Sequence, residues 1–307
     1  MDLISLVFSL RLAADLAPGS PLPRWWGRAA HALVLNTVRQ VDEGLAASLH
    51  DSTNEEDLNS PANHNHLRPF TTSTLMGRFS KGALDPAQVY LLRLTAFRAD
   101  LAGILLTASQ GGSLSPGQAI ELDYCPFEIL SVQPAPVGTG QAGLPGSNPV
   151  SPWAASGSYQ ELSAPYLLSK IPAPRRISLQ FTSPTTFKSA GRHNPLPLPA
   201  LVFGSLLERW NAFAPISFPA EVRRYADECL VISKYDLQTR SVPTKSRGLR
   251  VGCVGSISYA TLNYDRYWMS LLAVLAEFSL FSGVGAGTTA GMGQCRRMED
   301  KTTQMQD

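Results

Sequence analysis

The stretch "DRYWMSLLAVLAEFSLFSGVGAGTTAGMGQCRRM" (residues 265–298) decides the fold. Gly283, Gly285, Gly287, Gly291 and Gly293 fall within eleven positions of it. The apolar run before them reads as a helix, and apolar Met292 and Cys295 return after them in a candidate last strand. A dinucleotide fingerprint would have to follow a strand and open a helix, which is the opposite order. No GK[ST] is present either, which removes a P-loop. A glycine-rich turn between the last helix and last strand of a βαββαβ unit remains. Such a turn leaves backbone amides free to approach phosphates.

Working outward, the βαββαβ order occurs twice. At the amino end Ile4, Leu6, Phe8, Leu10 and Leu12 alternate with Ser5, Ser9 and Arg11, as in a strand with one buried face. After "APGSPLPRWW", Trp26, Ala30, Leu33, Val34, Thr37, Val38 and Val41 recur at helical spacing. "LAASLHD" and a polar loop follow. Strands "LRPFTTSTLMG" and "VYLLRLTAF", helix "RADLAGILLTAS" and strand "AIELDYCPFEILSVQ" complete the first unit. A Pro/Gly/Ser stretch and a helix, "SYQELSAPYLLSK", lead to the second. There "RRISLQFTS" is a strand and "ALVFGSLLERWNAF" a helix. Two long strands flank residues 246–248, and the opening stretch closes the unit. The expectation is an α+β protein of tandem ferredoxin-like, RAMP/RRM-like units. Residues 1–133 form the first, 134–174 the linker and connecting helix, and 175–307 the second.

Charge is distributed unevenly on a chain of net charge +2. Residues 42–66 hold six carboxylates and no Lys or Arg. Residues 234–250 hold Lys234, Arg240, Lys245, Arg247 and Arg250 against the single acid Asp236. A basic strip on a near-neutral protein points to a polyanion groove. The bland alternative is a charged edge hairpin that resists aggregation. The four cysteines form no CxxC, and the carboxylates show no metal-ligand spacing, so neither a metal site nor a cofactor is expected. The amino terminus lacks a basic n-region, and the apolar run after Arg266 is interrupted by Glu277. A soluble, unprocessed cytoplasmic protein is the expectation, with no membrane partner.

Five histidines are the candidates for chemistry. Arg24, Arg28 and His31 fall at i, i+4 and i+7, a basic stripe beside the apolar face of the first helix. It suits a phosphate site, or equally a solvated helix edge. His50 ends "LAASLH", where a cation also suits a helix carboxyl end. His64 and His66 spell "HNH" inside a polar loop, without the ββα frame that the metal nuclease of that name requires. His193 lies in the loop "AGRHNPLPLP". Tyr259 and Tyr264 suit core packing better than base stacking, and the RNP aromatics of an ordinary RRM are missing.

Three stretches in order, "WWGRAAHALVL…LAASLHD…RPFTTSTL", "ISLQFTSPTTF" with "LPLPALVFGSLLERWNAF", and "GVGAGTTAGMGQCR", give the chain a resemblance. It resembles the CRISPR-associated repeat-processing endoribonucleases (Cas six) of the RAMP superfamily along nearly its whole length. The resemblance implies tandem ferredoxin-like domains and cleavage of CRISPR repeat RNA (pre-crRNA) to guide RNAs without metal. It implies a catalytic histidine at His50 and a second at His31; Arg28 is the nearby cation available to stabilise charge developing on the phosphate. Tyr159 and Lys188 are supporting candidates. In that chemistry the 2′-OH attacks the adjacent phosphate, one imidazole removing its proton and another protonating the departing 5′-oxygen. The products are a 2′,3′-cyclic phosphate, or a 3′-phosphate after opening, and a 5′-OH. Which histidine is base and which acid is open at this level. Arg24, Lys234, Arg240, Lys245, Arg247, Arg250, Gly283, Gly285, Gly287, Gly291 and Gly293 are the expected RNA-binding set. The expected partner is repeat RNA, as a stem-loop or a single strand folded on binding. The alternative reading is a non-catalytic RNA-binding RAMP subunit among the other subunits of a CRISPR effector complex.

Overall fold

The structure is a computed structural model that describes residues 1–13, 22–51, 67–79, 83–133, 151–170, 172–189, 191–244 and 248–299. The chain divides into two compact units. One comprises residues 1–161 with 287–292, the other residues 162–286 with 293–307.

In the first unit β1 (Leu3–Leu12) leads to α1 (Gly27–Arg39) and α2 (Glu43–Asp51). Then come β2 (Phe70–Thr72), β3 (Val89–Ala96), α3 (Ala99–Ser109), β4 (Ala119–Leu122), β5 (Cys125–Gln133) and β6 (Ala155–Gly157). The sheet order is β2-β3-β1-β5-β4, with β6 also on β1. Setting β4 and β6 aside, this is the ferredoxin-like order with every pair antiparallel. Ile4, Leu6, Phe8 and Leu10 of β1 enter one core with Ala30, Val34 and Val38 of α1 and Leu101 and Leu105 of α3. Phe127 sits edge-on to both Trp26 and Tyr90 there. Truncating a buried ring of this kind costs about 3–5 kcal/mol.

Two expectations are corrected in this unit. β1 has both faces buried rather than one, since Leu3, Ser5 and Val7 are covered too. The covering comes from residues 151–157: Ser5 bonds the Trp153 carbonyl, and buried Arg93 lies 5.0 Å over the Trp153 ring while donating to Ser5 Oγ at 2.8 Å. The long strand "AIELDYCPFEILSVQ" is instead a hairpin of β4 and β5. Asp123 and Tyr124, at φ 49° and 68°, make the two-residue turn whose twist matches paired strands.

α4 (Tyr159–Leu167) carries the chain onward. The second unit contains β7 (Arg176–Thr185), β8 (Phe187–Ser189), β9 (Arg192–Asn194), α5 (Pro199–Phe213) and α6 (Glu221–Cys229). It finishes with β10 (Leu230–Pro243), β11 (Leu249–Thr261), α7 (Arg266–Ser282) and β12 (Cys295–Met298). The sheet order β10-β11-β7-β12 repeats the first pattern. Pro199 opens α5 where its missing N–H costs nothing, and Asp265 caps α7 by accepting from Trp268 N. α7 is buried along most of its length, with Phe278 edge-on to Trp210 of α5. Arg297 of β12 pairs with Glu277 of α7 at 2.7 Å, and Tyr166 donates to the same carboxylate at 2.6 Å. Burial pushes the Tyr166 hydroxyl up, and Glu277 beside it adds to that. β12 begins only at Cys295, because Gly291 and Gly293 before it adopt φ of 89° and 68°.

Candidate active site

In the first unit the short 3₁₀ turn Thr288–Ala290 lies directly on the first turn of α1. A Cβ on Gly27 would overlap the Ala290 carbonyl, which accepts from Trp25 Nε1 at 2.6 Å. A Cβ on Gly291, at φ 89°, would be 3.0 Å from both Gly27 Cα and Thr74 N. Two glycines therefore let backbone cross backbone with nothing between. One turn along α1, His31 Nδ1 is 3.0 Å from the Thr289 carbonyl, which also accepts from Thr72 Oγ1 at 2.9 Å. A carbonyl can only accept, so Nδ1 carries the proton. In the neutral ring the lone pair then belongs to Nε2. The half-buried ring is steadied by Phe70, 5.3 Å away between centroids.

Arg28 is exposed on α1, three residues before His31. Arg24 is a correction to the proposed stripe: α1 starts at Gly27, so Arg24 lies in the bend before the helix and out of its periodicity. His50 is exposed in the last turn of α2. That helix starts on Asp42, whose carboxylate accepts from Leu45 N at 2.8 Å, and is anchored by buried Ala46 and Leu49. Its carboxyl end is held by Arg68, which donates to the Leu49 carbonyl at 2.7 Å and the His50 carbonyl at 3.4 Å. α1 and α2 pack together and are joined by residues 40–42. His64 and His66 lie outside the described residues.

Tyr159 is placed elsewhere. It is buried, donates to the Phe97 carbonyl at 2.6 Å, and burial pushes its hydroxyl far up, so it is a core residue. Tyr259 is core as well, donating to the Pro197 carbonyl.

In the second unit, Gly283 ends α7, and Gly285 passes so close to Thr186, just after β7, that a Cβ there would overlap the Thr186 carbonyl oxygen. The Gly285 amide donates to Ser205 Oγ at 2.9 Å, and its carbonyl accepts from Arg209 Nη2 at 2.6 Å. Arg209 is only 8% exposed; it also donates to the carbonyl and hydroxyl of Ser205. Sequence reading missed this clamp, because Ser205 and Arg209 sit within an otherwise apolar helix pattern. An i, i+4 polar pair there was the available signal. Further along, Ala286 N donates to the Thr186 carbonyl and Gly293 N to the Pro184 carbonyl. The amides of Val284, Ala290 and Met292 bond within the segment itself. The amides of residues 284–286, 290, 292 and 293 are therefore committed within the protein, so at these positions the stretch does not leave them free as expected. What the glycines provide at these points is close packing.

The β10–β11 hairpin carries the basic strip. Lys234 pairs with Ser258, Arg240 with Gly252 and Arg250 with Val242. Cross-strand partners share a face, so all three cations lie on one side of the hairpin, and Ile257 and Tyr259 point to the other, into the core. Lys245 and Arg247 lie outside the described residues. Among the described residues no group of three or more His, Cys, Asp or Glu could hold a metal ion. No described helix is long and apolar enough to cross a membrane.

Residues 179–295 match the family model "CRISPR-associated endoribonuclease Cas6". A protein of that description from Mycobacterium tuberculosis is 30% identical over 126 residues, 41% of this chain. That match spans 40% of the relative's own length. Among solved structures, a Cas6 product complex has 25% identity and a TM-score of 0.69, covering 97% of this chain and all of the other. A RAMP protein described as binding different RNA substrates shares the fold alone, at 15% identity and a TM-score of 0.53. That likeness covers 96% of this chain and all of the RAMP protein.

Proposed function

We propose that this chain, a member of the Cas6 family, is an endoribonuclease that cleaves CRISPR repeat RNA by a metal-independent route. The observation that carries the reading is the Thr289 carbonyl holding His31 by Nδ1, so that Nε2 carries the lone pair of a general base. In this mechanism Nε2 takes the proton of the ribose 2′-OH. The 2′-oxygen bonds to phosphorus, and the bond from phosphorus to the 5′-oxygen breaks. His50, in its charged form, gives its proton to the departing 5′-oxygen. Arg28 faces the charge that gathers on the non-bridging oxygens. The products are a 2′,3′-cyclic phosphate and a 5′-OH, with a 3′-phosphate if the ring later opens.

The test uses the repeat RNA in EDTA. Wild-type protein is expected to cut it, leaving a cyclic phosphate. A 2′-deoxy nucleotide at the cut is expected to stop the reaction. His31→Ala and His50→Ala are each expected to slow cleavage by about 10²–10⁴-fold. A need for a divalent ion, or undiminished cleavage by the double variant, overturns the mechanism. Intact RNA recovered bound to the wild type would instead favour a non-catalytic RNA-binding subunit.

A further inference from the structure

β10 is an edge strand of the second sheet, and among the described residues no strand pairs with its outer side. It is long for an edge, and residues 234–241 are all exposed except half-buried Leu237. The backbone N–H and C=O groups of such an edge are a template for another strand, and folded proteins guard them with bulges, charges or proline. The ladder with β11 slips at Ser233, and Pro243 ends the strand. Between these two guards residues 234–242 pair without interruption to β11, which leaves a regular outer edge.

The charges of that stretch fit a second copy of the same stretch. Side chains alternate along a strand, so Lys234, Asp236, Gln238 and Arg240 share one face. Asp236 lies among the cations, where it would repel a phosphate backbone. A second copy gives it a use. Two copies of a strand joined antiparallel about a two-fold axis pair one residue with itself, because cross-strand partners share a face. With Gln238 on the axis, Asp236 stands opposite Arg240 of the second copy, and Arg240 opposite its Asp236. Tyr235 then faces Ser241 and Leu237 faces Thr239, and no like charges are opposed. With Leu237 on the axis, Lys234 would oppose Arg240. With Tyr235 on the axis, Lys234 would meet Asp236, but the pairing would run across the slip at Ser233.

We propose that the outer edge of β10 docks a second copy of this chain, antiparallel about Gln238, with two reciprocal Asp236–Arg240 pairs. One sheet then runs through both copies, and the exposed row of backbone groups is paired. The inference stands on the second unit alone and does not depend on the cleavage chemistry.

The test is sedimentation of the full chain over a concentration series. The wild type is expected to pass from one chain mass to two as concentration rises. Asp236→Arg and Arg240→Asp each set like charges opposite one another, twice per dimer, and are each expected to raise the dimer Kd about tenfold. The double swap Asp236→Arg/Arg240→Asp restores opposite charges and is expected to recover most of that loss. Tm is checked for each variant. Independently of charge, Gln238→Cys is expected to form a disulfide with its own copy on mild oxidation, since opposed Cα atoms lie ~4.5–5.5 Å apart. Ser241→Cys, about 20 Å from its copy in this register, is expected not to. The wild type, with its four native cysteines, sets the background. A wild type that stays monomeric overturns the proposal; if its affinity for repeat RNA also falls in Arg240→Ala, the edge belongs to nucleic acid. A dimer that neither charge variant weakens and that does not cross-link at 238 overturns it too. A double swap no better than the single variants overturns the Gln238 register and the proposal with it.

Discussion

Gly27 and Gly291 meet where a helix and a turn from distant parts of the sequence lie backbone to backbone. Replacing Gly27 by Ala drives a methyl into the Ala290 carbonyl, and overpacking of this order costs about 1–3 kcal/mol. The urea midpoint of Gly27→Ala should fall accordingly. Repeat cleavage should fall with it, because Thr289, next to Ala290, orients His31. At this scale His31 and Arg28 are candidates by residue type and spacing. Thr72, Ser205 and Arg209 are not, since their partners are carbonyls and amides that composition does not reveal. Arg24 was misplaced by one helical turn because Trp26, at the start of α1, makes no side-chain cap that the sequence could announce.

Among elements, α2 shows how a short helix holds a candidate catalytic side chain, His50. Nine residues are too few to be stable alone, so the helix depends on Asp42 at one end and Arg68 at the other. Arg68→Ala leaves the Leu49 and His50 carbonyls without this donor and should lower stability by about 1 kcal/mol. Cleavage should drop with kcat more than with KM, because the loss loosens His50 rather than RNA binding. Arg68→Lys should recover only part, lacking the planar fork. Long periodic elements such as α1 and α5 were readable because one face of each is buried over several turns, and α7 because its apolar run is buried almost all round. α6 was overlooked although Val222, Tyr225 and Ala226 recur at helical spacing, and the strands of the β8–β9 hairpin are too short for periodicity to speak. The β4–β5 turn was missed because Asp123 and Tyr124 take left-handed conformations without a glycine to signal it.

At the level of the whole molecule, the two units are interleaved in sequence: residues 287–292 belong with the first although they follow most of the second. A fragment of residues 1–161 therefore lacks the turn that accepts from Trp25, His31 and Thr72. Its unfolding should be less cooperative and its midpoint lower than in the full chain, as measured by circular dichroism in urea. Adding a peptide of residues 283–294 should restore part of the loss. An equal midpoint for fragment and full chain would show the turn to be dispensable. The tandem order was legible here, because the helix-and-strand succession repeats. The exchange of six residues was not, since glycine spacing says where backbone can approach and not what it approaches.

That interleaving also sets a timetable. During synthesis a ribosome finishes residue 161 well before residue 287, a delay of roughly 6–25 s at ~5–20 residues per second. Throughout that interval His31 has no Thr289 carbonyl to orient it. A nascent chain cannot fix this imidazole until residue 289 has been made.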